Sequence, residues 1–187
     1  VDKDGLLVDG MDYVLEFQQR YARPKAEFSA LPDAIPSGLL EIVHHVKPTI
    51  LIGCSAVAGA FTKEVVMAMH EYVKRPVILP LSNPTCRSEV TPQEVFEWTQ
   101  GEALIATGSP YDPVTFNGEN YRISQCNNAF IFPGLGLGII ASGATRVTDY
   151  MLIQAACALA DCSPLLHDPN GAWNLTGITR ICFTRFW

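Results

Sequence analysis

Three observations predict an α/β fold, a parallel sheet with flanking helices. Four short apolar runs, "TILIGC" (49–54), "PVILPL" (76–81), "ALIAT" (103–107) and "AFIF" (129–132), are continuous rather than alternating in hydrophobicity, as strands covered on both faces are. Helical patterns separate the first three runs, which is how parallel strands are connected. The 187 residues, 48% hydrophobic and 17% charged, suffice for one buried core and fall short of two ordinary domains.

Each element has its own local justification. The opening "VDKDGLLV" reads as the exit of a strand, and Asp2 fits either a strand-end carboxylate or a turn aspartate. The stretch from Tyr21 to Gly38 holds Pro24, Pro32 and Pro36 and is expected to be an irregular connection. A short helix follows over "GLLEIVHHV"; its neighbours His44 and His45 point about 100° apart and are expected to face solvent rather than share a ligand.

In "FTKEVVMAMHEYVKRP", Thr62 is a cap, Glu64 sits in the first turn, Val65, Val66, Met69 and Val73 form a stripe, and Pro76 ends the helix. In "TPQEVFEWTQG", Thr91 caps, Pro92 takes the first helical position and Glu94 closes a capping box. Asn117-Gly118 between β-prone flanks predicts a hairpin. A last helix over "TDYMLIQAACALADCS" starts at Thr148 and carries Met151, Leu152, Ala155 and Leu159 on one face, expected to pack on the core.

Composition narrows the function classes. A net charge of -6 argues against nucleic acid or anionic membrane as a partner, because both select clustered Lys and Arg. The longest apolar run, around Phe130 to Ser142, is broken by Pro133 and glycines and is shorter than the roughly 20 residues of a membrane span. No secretory signal is visible at the start. The six cysteines, at 54, 86, 126, 157, 162 and 182, form no CxxC pair, and are expected to be reduced core thiols of a cytoplasmic protein rather than zinc ligands.

The motifs with chemical content lie at the ends of the apolar runs. "GCSAVAG" offers small residues that let a flat ring approach the backbone. "PLSNPT" sets Ser82 and Asn83 directly after a strand; an amide there grips a carboxylate or carboxamide, while an ordinary Asn-Pro turn is the equal alternative. "TGSPYDP" repeats the pattern with Gly108 and Ser109. Together the three loops outline one crevice.

In "QCNNAFIFPGLGLGIIASG", Gly136, Gly138 and Ala141 fit a dinucleotide fingerprint. Pro133 intervenes, however, and the expected acid would fall at Asp161 inside a helix. Helix entry and close packing against the sheet are therefore the preferred reading of Gly134, Gly136 and Gly138. No metalloprotease, hydrolase or phosphate-loop signature is present, so the crevice binds without supplying an evident catalytic engine.

Taken in order, "KRPVILPLSNPT", "ATGSPYDPV" and "QCNNAFIFPGLGLGIIASGATRVTD" resemble the C-terminal half of the nucleotide-binding domain of malic enzymes, and among these the bacterial NAD-linked forms. The resemblance covers 1–166 and leaves 167–187 as an atypical tail. It implies an incomplete Rossmann-like sheet, its N-terminal βα units missing. It implies oxidative decarboxylation of (S)-malate to pyruvate and CO2, with NAD as hydride acceptor and Mn2+ or Mg2+ polarising the ketone intermediate.

By the same resemblance, Asn83, Asn127 and Asn128 contact malate, and Asn83 and Asn127 also contact the cofactor. Asp2 holds the adenosine ribose, Gly53, Cys54, Ser55 and Ala56 form the loop beside the dinucleotide, and Ser82, Gly108 and Ser109 line the crevice. Gln18 or Gln19 falls where phosphate-selective forms carry Lys, favouring NAD over NADP. The general-acid Tyr, general-base Lys, metal-binding Glu-Asp-Asp set and pyrophosphate loop of the family would precede residue 1. The chain is thus expected to be a fragment, inactive alone, of a homo-oligomer, dimer or tetramer. A non-catalytic dinucleotide-binding or scaffold module is the alternative.

Overall fold

The computed structural model of the chain describes residues 1–2, 5–28 and 38–162. The sheet is parallel throughout and runs in the order β1 (Ile50–Gly53), β2 (Val77–Pro80), β3 (Leu104–Thr107), β6 (Ser124–Gln125). Helix α1 (Leu39–Val46) precedes β1, α2 (Lys63–Tyr72) joins β1 to β2, and α3 (Pro92–Trp98) joins β2 to β3. All four strands therefore end on one edge, where parallel sheets gather ligand-binding loops.

The local chemistry works as read from the residues. Thr62 Oγ1 accepts from the Val65 N–H, and Thr91 and Glu94 close a capping box with Pro92 in the first turn. The hairpin β4 (Val114–Phe116) and β5 (Glu119–Tyr121) turns through Asn117 at φ 51° and Gly118 at φ 81°, the pair of left-handed residues that a tight primed turn requires. His44 and His45 are both exposed, with His44 Nδ1 3.0 Å from Tyr72 Oη.

Burial explains why β2 sits in the middle. Ile78 packs with Val66, Val95, Phe96, Ile105 and Val114 on one face, and Val77 and Leu79 pack with Ala106 on the other. Full burial of an Ile or Leu side chain contributes about 1.5–3 kcal/mol. β1 departs from the expectation of two covered faces: it is an edge strand, and Ile52 stays 41% exposed. A smaller cluster of Leu6, Val8, Phe28 and Ile42 anchors the N-terminal segment, which runs beside Arg23 through a parallel bridge at Val8.

Further expectations are corrected. "AFIF" is no strand: Asn128–Phe130 is a 3-10 turn, and α4 (Phe132–Ser142) starts before Pro133, so the fourth strand is the short Ser124–Gln125 upstream. A short apolar run has no periodicity to separate strand from helix, and a proline in a first helical turn costs nothing. Gly134, Gly136 and Gly138 lie inside α4, yet a Cβ on any of them would meet nothing within 4 Å. Close packing against the sheet is thus absent among the described residues. α4 instead meets the preceding turn and α5 (Asp149–Asp161), and leaves Phe132, Leu137 and Ile140 exposed.

Another correction concerns the thiols. None of the five described cysteines is buried, Cys54, Cys86 and Cys162 are exposed, and no disulfide joins any of the five. α5 buries Ala156 and Ala160 and contributes no residue to the clusters around the sheet. Among the described residues no helix is long and apolar enough to cross a membrane. Cys182 and the tail 167–187 lie outside the described residues.

Candidate functional site

Hydrogen bonds stitch the four strand ends into one surface. After β1, the Ser55 N–H and Oγ–H donate to Glu89 Oε1 at 2.8 and 2.9 Å. After β2, Ser82 Oγ donates to the same oxygen at 2.5 Å and accepts from the Ala56 N–H at 2.8 Å. After β3, Ser109 Oγ donates to Asn83 Oδ1 at 2.5 Å. After β6, Gln125 Nε2 donates to the Gly108 carbonyl at 3.0 Å, and the Cys126 N–H to the Thr107 carbonyl at 2.7 Å. Residues from four separated segments thereby share one bonded path.

Two glycines on this edge are required by close approach. A Cβ on Gly108 would stand 2.1 Å from the Leu81 carbonyl oxygen, and one on Gly53 would stand 2.6 Å from Glu89 Cδ. Gly108 lets the β2 and β3 ends close on each other, and Gly53 lets a carboxylate cross the end of β1. Ala56 adopts φ 55°, a left-handed position held by its bond to Ser82.

Glu89 was not among the sequence candidates. It is fully buried, and the ligands of its carboxylate are hydroxyls and backbone N–H groups of Ser55 and Ser82. Burial by itself raises its pKa; the hydrogen bonds from Ser82 and Ser55 outweigh that, and the carboxyl is held below its ordinary value. The unfolded chain therefore binds this proton more tightly than the folded one. The stabilisation from Glu89 is complete above its unfolded pKa of about 4.3 and is lost as pH falls through the lower folded value. Denaturant titrations from about pH 6 to about pH 3 should show the stability difference between wild type and Glu89→Gln shrinking as the pH falls. A difference that grows instead would refute the assignment.

A cleft of about 560 Å3 opens beside β1, and Asp2, Gly53, Cys54 and Ser55 line it together with Leu39, Ile52 and Phe61. Four of the cofactor candidates are thus brought together, on an edge of β1 that pairs with no other strand among the described residues. The Asp2 N–H and carbonyl pair with the carbonyl and N–H of Gly5 at 2.8 and 2.9 Å. Buried Gln18 donates to Asp2 Oδ2 and accepts the Leu15 N–H at 3.0 Å. Cys54 is exposed at the mouth of this cleft; partial desolvation first, then the nearby Glu89 charge, raises its pKa.

Asn83, Ser82, Gly108 and Ser109 form a second group at the β2 and β3 ends. Asn83 is exposed, its Nδ2 donates to the Leu81 carbonyl at 3.4 Å, and its peptide bond to Pro84 is cis. Asn127 and Asn128 follow β6 on the same edge; Asn127 Oδ1 caps the turn by accepting the Ala129 N–H at 2.9 Å, and Asn128 is exposed. Glu89 left one faint signal, an isolated acid between Ser88 and the buried Val90 in the loop that follows "LSNPT".

Comparison with known proteins agrees with this geometry. Residues 1–172 match the family described as malic enzyme, NAD binding domain. The chain is 55% identical over 172 residues to NAD-dependent malic enzyme 2 of Photobacterium profundum, with 92% of this chain and 30% of that protein covered. It is 51% identical over 173 residues to the NAD-dependent malic enzyme of Shewanella frigidimarina, covering 92% and 31%. To that of Aeromonas salmonicida it is 52% identical over 172 residues, covering 92% and 30%. The chain spans about 30% of the length of these relatives. A four-stranded parallel sheet whose strand ends are bonded into one edge, matched along 1–172 in this way, places the chain in the malic enzyme family, in its NAD-binding domain.

Proposed function

We propose that this chain is the cofactor- and substrate-binding part of an NAD-dependent malic enzyme that converts (S)-malate to pyruvate and CO2 with reduction of NAD. The observation that carries this reading is the bonded path from Ser55 through Glu89, Ser82 and Asn83 to Ser109, laid across parallel strand ends beside a cleft that contains Asp2. The names of the relatives supply the reaction.

The cleft suits the adenosine half of a dinucleotide. Asp2 would accept hydrogen bonds from the ribose hydroxyls, the loop Gly53–Ala56 would lie against the cofactor, and Asn83, Asn127 and Asn128 would hold the nicotinamide end and the malate carboxylates. NAD, when bound, accepts the hydride from C2 of malate. Gln18, a neutral amide on Asp2, offers no cation for a 2′-phosphate and so supports NAD over NADP.

Among the described residues no three His, Cys, Asp or Glu side chains converge as metal ligands, so these residues do not fit the Mn2+ or Mg2+ that the reaction implies. The ligands and the proton-transferring Tyr and Lys belong to the remainder of such an enzyme, whose homo-oligomeric state and cytoplasmic location are part of the same proposal.

In a full-length enzyme carrying this segment, Asn83→Ala is expected to raise the KM for malate, or to lower kcat, about tenfold or more. An amide bonded to a carboxylate contributes about 1.5–3 kcal/mol, and about 1.4 kcal/mol is a factor of ten. Steady-state kinetics with malate, NAD and Mn2+ decide it, and unchanged constants remove Asn83 from the site.

A further inference from the structure

We propose that Glu89 is a positioning residue of the dinucleotide site, holding the loop after β1 and the turn after β2 in the one relative placement at which both meet the cofactor. The inference rests on the reading that this edge binds NAD, and it adds a residue without which the loops lose their mutual register.

Four donors converge on the Glu89 carboxylate, two from Ser55 and two from Ser82, and the two serines belong to different strand ends. The backbone of the same residue reinforces the clamp. The Phe61 N–H donates to the Glu89 carbonyl at 3.0 Å and the Gly59 N–H to the Ser88 carbonyl at 3.2 Å, so the end of the loop 55–61 is tied to the 88–89 backbone as Ser55 ties its start to the Glu89 side chain.

Ser82 Oγ acts as a relay: it donates to Glu89 and with its lone pair accepts the Ala56 N–H, which fixes Ala56 in its left-handed conformation. Gly53 completes the arrangement, since any Cβ there would occupy the space of the carboxylate.

Removing the carboxylate would leave these donors without an acceptor, so the group that satisfies them also sets where Ser55 and Ser82 lie. The donors also discriminate against the neutral isostere. Two of the four are backbone N–H groups that cannot reverse their polarity, and an amide nitrogen at Glu89 Oε2 would face the Ser82 N–H.

The test uses Glu89→Gln and Glu89→Met in the full-length enzyme, with melting temperature, hydrogen exchange and steady-state kinetics measured in parallel. Both variants are expected to fold. Exchange should rise in residues 54–61 and stay unchanged in α3, the KM for NAD should increase about tenfold or more, and kcat at saturating NAD should stay within about threefold, the pattern of lost ground-state binding. Ser82→Ala combined with Glu89→Gln should be no worse than the more severe single variant, because the two act through one path.

A folded variant with an unchanged KM for NAD, or one whose kcat falls with KM unchanged, overturns the proposal. If either variant fails to fold, the other still decides. A wild-type enzyme without NAD-linked malate turnover would sink the functional reading instead, and the exchange measurement would still show whether Glu89 holds the two loops.

Discussion

Gly108→Ala is expected to lower stability by about 3 kcal/mol and to abolish turnover in a full-length enzyme. Overpacking costs typically about 1–3 kcal/mol, and this site lies at the upper end because the obstruction is main chain. The new methyl would stand 2.1 Å from the Leu81 carbonyl oxygen and 2.6 Å from its carbonyl carbon, and no rotamer change relieves a clash with backbone.

Relief requires β3 to move away from the end of β2. The Gly108 N–H is bonded to the Pro80 carbonyl at 3.0 Å, Asn83 is bonded to Ser109, and the Gly108 carbonyl receives Gln125. Separating the strands breaks these links together, and with them the join between the two halves of the candidate site. Denaturant unfolding and malate turnover measured on the same preparation check both parts. A variant with wild-type stability would show that the two strand ends do not approach as described.

Phe96→Ala is expected to cost about 3–5 kcal/mol. The ring is 1% exposed at the centre of the largest apolar cluster, and its centroid lies 5.0 Å from that of Tyr121 and 6.0 Å from that of Phe116. It is among the contacts between α3 and the hairpin, and such aromatic pairs add about 0.5–1.5 kcal/mol beyond their buried area. The loss should appear as a lower denaturant midpoint with an unchanged slope, since the same surface is exposed on unfolding. A loss below about 1 kcal/mol, well short of the usual cost of such a truncation, would show that the cavity collapses and that the hairpin is not anchored there.

Much of the fold was legible because its determinants are local. Thr91, Pro92 and Glu94 meet one another within a single turn, and Asn117-Gly118 supplies its own left-handed pair, so neither needs the rest of the chain. β2 and β3 declared themselves through continuous apolar runs, although the same kind of run at β1 proved to be a half-exposed edge strand. The run "AFIF" failed for the complementary reason: four apolar residues have no period, and what settled them was Asn127 capping the turn that leads into α4.

The site divides in the same way. From the residues alone follow the loops after β1, β2 and β3, with Asn83 among them, because parallel strands put those loops on one edge; Asn127 and Asn128 came only from the resemblance, and the structure sets them after β6. Only the tertiary structure decided that Gly108 is a close-approach glycine, that Gln18 bonds to Asp2 sixteen positions away, and that Glu89 reaches across to Ser55 from 34 positions later. These are through-space relations between segments that carry no mutual signal in sequence. A buried carboxylate is interpretable only once the donors around it are known, and the fold is what brings them there.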